Sequence, residues 1–459
     1  LRPKTDNTVD LGTSSVQFKD LYLDGTMNID SLSVTDADVT DATIKLDGNY
    51  PDGSRNIAFG LTALDSLDGS SPGGDNVAIG NAALTALTTG DHNIAIGSSA
   101  GTALVAGGKN IAIGHEALST EDGNGETVAI GYQALKVQNA GASGLNVAIG
   151  YQSGLAVTTG VKNTLLGASS GVALTAGANN TAIGYEALST EDANGNNTAV
   201  GYRSLKTLNA GAAGYNTGVG VDSGLSLSTG VRNTAIGSFA LDAATTSDDN
   251  TAVGYNAGTE ITTGTDNVIL GSSAGAALVA GSNNVAVGFE ALSTEDGDGN
   301  NVAIGYRALK TQNAGADAHN VAVGYDAGTA ITTGIRNTLV GSTAGDELVG
   351  GERNTAVGYG ALHTETEGDR NTAVGVFALS TQNTSGGGSV YNTAVGHAAG
   401  NALTTGVRNT ILGAQALDAD TQGSKSVAIG YAALSAQNFT SATDSHNVAV
   451  GSSAGLSVT

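Results

Sequence analysis

The sequence predicts an all-β, elongated parallel β-roll, or β-solenoid, of about 23 coils with a 17-residue base period. A five-residue motif (Asn, Thr or Val, Ala, Val or Ile, Gly) recurs from Asn56 to Asn447. Its closing glycines are 17 residues apart in most coils and two to four residues further apart in the others. A short fixed period is typical of solenoids, in which each repeat packs only on its neighbours. The chain also has 69 glycines, no tryptophan and 4% aromatic residues, which suits a narrow interior better than a thick globular core.

The motif itself predicts one strand per coil. Two β-branched residues flank a small one, and the residues at both ends favour turns, as in Asn93-Ile94-Ala95-Ile96-Gly97. Glycine accepts positive φ without steric cost, and asparagine tolerates it better than most residues. Stacked coils align the asparagines, so we expect a ladder in which each buried amide bonds to the next. The predicted ladder comprises Asn76, Asn93, Asn110, Asn146, Asn163, Asn180, Asn197, Asn216, Asn233, Asn250, Asn267, Asn284, Asn301 and Asn320.

A second short strand is predicted after each motif glycine, in two versions. One version carries Ala-Leu, as in Ala117-Leu118, and the other carries glycine with an apolar residue three positions later, as in Gly101 and Leu104. A later apolar residue thus replaces a missing leucine. We therefore expect each coil to fill one interior position to a constant volume.

Residues 1–50 lack the motif and predict short strands with Gly or Asp turns, which we interpret as an N-terminal β-rich connector. Residues 51–459 form the predicted repeat shaft. A solenoid needs a cap at each end. The sequence ends partway through a coil at Thr459, so we expect a shaft that is truncated or processed at its C-terminal end.

Composition argues against several classes of function. The net charge of −24 disfavours nucleic-acid binding, because phosphates need a basic surface. The absence of cysteine excludes disulfides, thiolate zinc sites and cysteine nucleophiles. No apolar run is long enough to predict membrane insertion. No coil carries a unique cluster of reactive side chains, so we expect no catalytic residue, no cofactor and no enzymatic activity.

Three equivalent acidic loops are the candidate metal sites. Closely spaced oxygen donors and glycines suit Ca²⁺, although the spacing differs from an EF-hand and an acidic surface turn is the plainer interpretation. The candidate ligands are Glu121, Asp122, Asn124, Glu191, Asp192, Asn194, Glu295, Asp296 and Asp298. Paired carboxylates also hydrolyse glycosides, but these acids recur in register rather than at one exceptional coil.

Tyrosine follows the motif glycine in many coils. An exposed ladder of such rings could stack on sugars. The alternative is that the rings pack between coils or at a seam between subunits. These are Tyr132, Tyr151, Tyr185, Tyr202, Tyr255, Tyr306, Tyr325, Tyr359 and Tyr431. The six histidines have no ligand-like spacing and are interpreted as surface residues: His92, His115, His319, His363, His397 and His446.

The segment from Asp10-Leu11-Gly12-Thr13-Ser14-Ser15 to Phe18-Lys19-Asp20-Leu21-Tyr22-Leu23-Asp24-Gly25 resembles one common in bacteriophage tail fibres. The Asn-Thr-Ala-Val-Gly repeats are similar to those of such fibres. They also resemble the heads of trimeric autotransporter adhesins, which are parallel β-rolls with three chains side by side and shorter coils. The resemblance implies a homotrimeric virion fibre that takes part in host attachment. Its implied partners are itself, a host-surface glycan or protein, and other virion tail proteins at the N-terminal end.

Two alternatives remain open at this point. The first is a bacterial surface adhesin of the trimeric autotransporter type, located outside the cell. The second, less favoured, is a polysaccharide-degrading tailspike.

Two stripes of small residues give a physical reason, independent of the resemblance, to expect a trimer. Alanine at the strand centre, as in Ala95, and alanine before the leucine, as in Ala117, recur along the chain. Small residues let neighbouring sheets approach closely, so one stripe is expected to line the interior and the other an intermolecular contact.

Overall fold

The computed structural model describes residues 55–67, 74–123, 125–141, 143–211, 213–297, 299–315 and 317–458. All of them belong to one compact unit, Gly48–Thr459. The predicted connector over residues 1–50 lies outside the described residues. The described part of the chain has no helix that is both long and apolar enough to cross a membrane.

The described residues form a parallel β-solenoid with one three-residue strand in each of 23 coils, as the 17-residue period predicts. The principal strands are β1 (Ile57–Phe59), β2 (Val77–Ile79), β3 (Ile94–Ile96), β4 (Ile111–Ile113), β5 (Val128–Ile130), β6 (Val147–Ile149), β7 (Thr164–Leu166), β8 (Thr181–Ile183), β9 (Thr198–Val200), β10 (Thr217–Val219), β11 (Thr234–Ile236), β12 (Thr251–Val253), β13 (Val268–Leu270), β14 (Val285–Val287), β15 (Val302–Ile304), β16 (Val321–Val323), β17 (Thr338–Val340), β18 (Thr355–Val357), β20 (Thr372–Val374), β22 (Thr393–Val395), β23 (Thr410–Leu412), β25 (Val427–Ile429) and β27 (Val448–Val450).

These strands make one continuous parallel sheet in which each strand pairs with the strand of the next coil. The register is residue for residue, so Ala95 faces Ala112 as Ile94 faces Ile111. Coils with insertions keep this register, because the extra residues lie in the loops. Two small parallel pairs also form in long loops of the later coils: β19 (Gly368–Asp369) with β21 (Gly388–Ser389), and β24 (Gly423–Ser424) with β26 (Thr443–Asp444).

The motif glycine is required both by its conformation and by the closeness of the next coil. Gly97 has a φ of +138°, which side chains rarely adopt. A Cβ at that position would lie 2.5 Å from the carbonyl oxygen of Gly114, one coil away. Because the same contact recurs up the stack, glycine at this corner sets how closely successive coils approach.

Consecutive turns take the place of the predicted second strand. In the coil that begins at Gly114, the backbone N–H of Ala117 donates to the Gly114 carbonyl oxygen at 3.3 Å. Glu116 and Leu118 have φ of +54° and +52°, whereas Ala117 between them has a negative φ. A backbone that alternates between left-handed and ordinary conformations in this way cannot form a strand. Hydrogen bonds between coils hold this unusual path, including Leu118 N–H to the Ala134 oxygen at 3.0 Å.

The interior is filled by small and aliphatic side chains, as the compensating leucines predict. Leu118 and Leu104, from the two versions of the coil, are both fully buried. Where Gly154 leaves space, the strand-centre residue of the next coil is Leu165 instead of alanine. A Cβ on Gly154 would lie 2.7 Å from Leu165 Cδ1, so the larger side chain already occupies that volume.

Both alanine stripes face this interior. Ala95 and Ala117 are fully buried within a single chain, so neither stripe is available for contact between chains. The expectation that one stripe lines an intermolecular contact is therefore wrong. The strand alternates its faces with period two, and the outward positions are its first and third residues, as in Ile94 and Ile96.

Candidate functional site

The asparagine ladder is a continuous column of buried side chains along one edge of the sheet. The backbone N–H of Asn93 donates to Asn76 Oδ1 at 2.8 Å, and Asn93 Nδ2 donates to the Gly107 carbonyl oxygen at 2.9 Å. The recurring contact between coils is thus from backbone to side chain rather than only between amides. All the predicted ladder residues are buried, and so are later members: Asn337, Asn354, Asn371, Asn392 and Asn409.

Each ladder asparagine satisfies backbone groups that the turn would otherwise leave unpaired in a dry interior. Leaving one buried donor or acceptor unpaired costs about 1–3 kcal/mol. Thr127 and Ser426 occupy the ladder position in two coils, where their backbone N–H groups still donate to the preceding asparagine at 3.1 and 2.9 Å. The ladder therefore has a structural role, closing the coil before each strand.

The three acidic loops divide their carboxylates between the interior and the surface. Glu121, Glu191 and Glu295 are fully buried. The next residue in each loop is exposed: Asp122, Asp192 and Asp296. The plainer interpretation of these loops as acidic surface turns is therefore wrong for the glutamates, while the calcium hypothesis stays a prediction. Within the described residues, no group of three or more Asp, Glu or His side chains is placed to hold a metal ion. Asn124 and Asp298 lie outside the described residues.

The buried glutamates accept hydrogen bonds from their own loop or from the next coil. Glu191 Oε1 accepts from the backbone N–H and from Nδ2 of Asn194, at 3.1 and 2.9 Å. Glu121 Oε2 accepts from Gln138 Nε2 at 3.0 Å. Burial raises the pKa of the Glu191 carboxyl above its ordinary value, and the hydrogen bonds from Asn194 oppose that rise.

Two further acids occupy the same buried position and were missed from the sequence. Glu365 Oε1 accepts from the backbone N–H groups of Thr366 at 3.0 Å and Gly368 at 2.8 Å. Asp420 accepts from the Gly423 N–H at 3.0 Å and from Gln437 Nε2 at 2.5 Å. All five buried acids stand six residues before a ladder position, and this spacing is the signal that would have found them.

Aromatic rings form stacks along a surface column defined by the residue that follows each motif glycine. His115, Tyr132 and Tyr151 stack with ring centroids 5.3 Å apart at both steps and planes within 11°. Phe289, Tyr306 and Tyr325 form a second three-ring stack, with steps of 5.4 and 5.0 Å. Within a stack, the faces of neighbouring rings pack against each other. This is the packing between coils that the sequence offered as the alternative to sugar stacking.

Histidines do not form a shared site. Five of the six are exposed: His92, His115, His319, His397 and His446. His363 is half-buried, and its Nδ1 forms a hydrogen bond with Asp346. Burial raises the pKa of the Asp346 carboxyl, while His363 acts in the opposite direction.

Comparisons with protein-family models, with curated proteins and with solved structures found no match to this chain. Function is therefore inferred from the solenoid, its surface column and its charge.

Proposed function

We propose that this protein is a structural and adhesive fibre, the shaft of a bacteriophage tail fibre, which projects or contributes to attachment at a host surface. The observation that supports the proposal most strongly is the single parallel sheet of 23 strands in unbroken register. Within the described residues, the interior of this unit is filled by small and aliphatic side chains. Its regular properties are length, stiffness and repetition, which are the properties that a shaft needs.

The dimensions of the solenoid suit a shaft. Strands that are hydrogen-bonded side by side stand about 4.8 Å apart, so 23 of them extend to roughly 110 Å. The net charge of −24 keeps such rods soluble and opposes unspecific lateral association. Surface features that repeat along the rod allow weak contacts to add up when several engage at once.

We infer further that three copies assemble through the outward face of the sheet. The third strand residue of successive coils is apolar and points outward, and some of these side chains are exposed, with Ile79 38%, Ile96 36% and Leu412 48% exposed. A continuous apolar strip of this kind is usually covered by a partner. A second copy of the same solenoid matches its coil-to-coil spacing along the whole length, which argues for self-association.

Light scattering combined with small-angle X-ray scattering tests both parts of this proposal. The expected species is a rod with three times the chain mass. A charged variant with Ile96→Lys, Leu166→Lys and Leu270→Lys on the outward face is expected to yield single-chain rods. A wild-type protein that is monomeric at high concentration contradicts the trimer. Repeating the measurement in calcium and in chelator tests the acidic loops, since loss of the rod in chelator would assign them a metal.

The bacterial surface adhesin remains the alternative, because the parallel roll with its asparagine motif is shared by that resemblance. Antibodies raised against the shaft separate the two. Labelling of purified virions by immunogold electron microscopy supports the tail fibre. Labelling confined to the surface of bacteria that release no virions contradicts the phage assignment and favours the adhesin.

A further inference from the structure

The surface column of aromatic rings contains single-residue gaps. Two stacks stand on either side of Ala168: His115, Tyr132 and Tyr151 before it, and Tyr185 with Tyr202 after it, the last pair 5.6 Å apart with planes at 14°. The coils at the gap are directly joined. Ser169 N–H donates to the Tyr151 oxygen at 2.9 Å, and Glu186 N–H donates to the Ala168 oxygen at 3.1 Å. Between His115 and Tyr202, Ala168 is therefore the one column position without a ring.

The width of this gap follows from the coil spacing. Tyr151 and Tyr185 are two coils apart, which separates their rings by roughly 10 Å. A flat aromatic group between two rings needs about 7–8 Å, since each contact takes about 3.5–4.0 Å. The gap is loose for a flat ring and suits a thicker, puckered six-membered ring.

The rings that border the gap keep one face free. Tyr151 is 54% exposed and Tyr185 is 47% exposed, against 43% for Tyr132, which has a ring on both faces. An aromatic face that is open to water prefers an apolar, C–H-rich partner. The two faces of a pyranose ring are of that kind, and its hydroxyl groups lie around the edge.

Polar residues adjoin the column positions at this gap. The residue after each column position is polar in these three coils: Gln152, Ser169 and Glu186. The neighbouring Glu186 carboxylate raises the pKa of the Tyr185 hydroxyl. Lys206 Nζ lies 2.6 Å from Glu186 Oε2, so the carboxylate is fixed beside the ring. Carboxylates and amides at a ring edge are suitable partners for sugar hydroxyls.

We propose that the gap at Ala168 is a glycan subsite in which one pyranose ring is sandwiched between Tyr151 and Tyr185. The inference rests on the proposed attachment role and names the ligand class for it. Ser272, between Tyr255 and Phe289, and Ser342, between Tyr325 and Tyr359, mark two equivalent gaps. Three subsites on one rod give the multivalency through which weak sugar contacts become effective attachment.

Saturation-transfer NMR on the full chain tests the subsite, with methyl β-D-glucopyranoside, methyl β-D-galactopyranoside and methyl α-D-mannopyranoside as probes. At least one glycoside is expected to receive saturation through its ring C–H protons. The variant Ala168→Tyr/Ser272→Tyr/Ser342→Tyr fills the three gaps that Tyr or Phe borders on both sides, with the residue that neighbouring coils carry, so it should fold and lose the signal. Tyr185→Ala, which removes one wall, should weaken it.

Ser98→Tyr is the matched control, because it adds a ring to the same column between Asn81 and His115 and neither fills nor creates a single-residue gap. It should keep the wild-type signal. Absence of transfer to all three glycosides overturns the subsite, as does an undiminished signal in the filled variant. If the filled variant instead changes the assembly mass while no glycoside binds, the gaps belong to contacts between copies. Virion labelling and rod mass are measured independently, so failure of the subsite is distinguishable from failure of the fibre proposal.

Discussion

Glycine-to-alanine substitution separates the two reasons for glycine in this fold, its backbone conformation and the closeness of the neighbouring coil. Four positions form a complete set. Gly184 has a φ of +135°, and a methyl group added there would lie 2.2 Å from the Gly201 oxygen. Gly141 has a φ of +67° with open space around it. Gly125 has no positive φ, but a Cβ added there would lie 2.2 Å from the Gly108 oxygen. Gly123 has neither constraint.

The expected changes in the free energy of unfolding follow from these geometries. Gly123→Ala should be neutral or stabilising by about 0.4–1 kcal/mol, because it restricts the unfolded chain. Gly141→Ala should cost about 1–2 kcal/mol for a left-handed residue with a side chain. Gly125→Ala should cost about 1–3 kcal/mol for overpacking against backbone. Gly184→Ala combines both effects and should cost about 2–5 kcal/mol.

Hydrogen exchange measured by mass spectrometry is the suitable assay, because coils of a solenoid open locally as well as globally. Gly184→Ala should accelerate exchange in the substituted coil and in both adjacent coils, and urea denaturation should report the summed loss. If Gly184→Ala is no more destabilising than Gly141→Ala, the contact between coils does not govern the motif glycine. That result would refute the link between this glycine and the coil spacing.

Asn233→Ala removes the acceptor of the Asn250 N–H and the donor to the Ser247 oxygen. It should therefore lower the free energy of unfolding, measured by urea denaturation, by about 2–6 kcal/mol. The control Asn209→Ala, at an exposed position, should change it by no more than about 0.5 kcal/mol. The raised pKa of Glu191 means that the native state binds more protons than the unfolded state above the ordinary value of 4.5, so the free energy of unfolding should fall as pH rises through that window. Glu191→Gln should remove this fall. If urea midpoints of wild type and Glu191→Gln depend identically on pH, the assignment is wrong. Glu186 has its pKa lowered by Lys206 and gives the opposite sign, since its stabilisation is lost as pH falls. Leu208→Gln should weaken the Glu191 effect, because glutamines at the equivalent position donate to the buried acid in other coils.

Most of the fold could be predicted from the period of the sequence. The glycine spacing indicated the number of coils, the parallel stacking and the positions of the 23 principal strands, because each coil must repeat the same path to pair with its neighbours. The compensation between Gly101 and Leu104 likewise indicated the interior. These features depend on residues that recur, and recurrence is visible in one sequence.

Properties that depend on which way a side chain turns were harder to predict. Positive φ at ordinary residues such as Glu116 and Leu118 arises from hydrogen bonds between coils, and no local propensity signals it. The inward turn of Glu121 follows from donors on the next coil, such as Gln138. One of the two alanine stripes was assigned to the wrong side for the same reason, since small size alone does not distinguish a crowded interior from a close contact between chains.

The direction of the hydrogen bonds has a mechanical consequence. Bonds between strands of adjacent coils run along the stacking direction, so tension applied along the stack pulls them apart a few at a time, whereas shear would oppose many at once. One coil opening at the end of the stack releases 17 residues, or roughly 55–60 Å of extended chain. Under a sudden pull, a solenoid of this kind should unfold one coil at a time. Each unfolded coil can then refold by pairing with the strand of the coil below it.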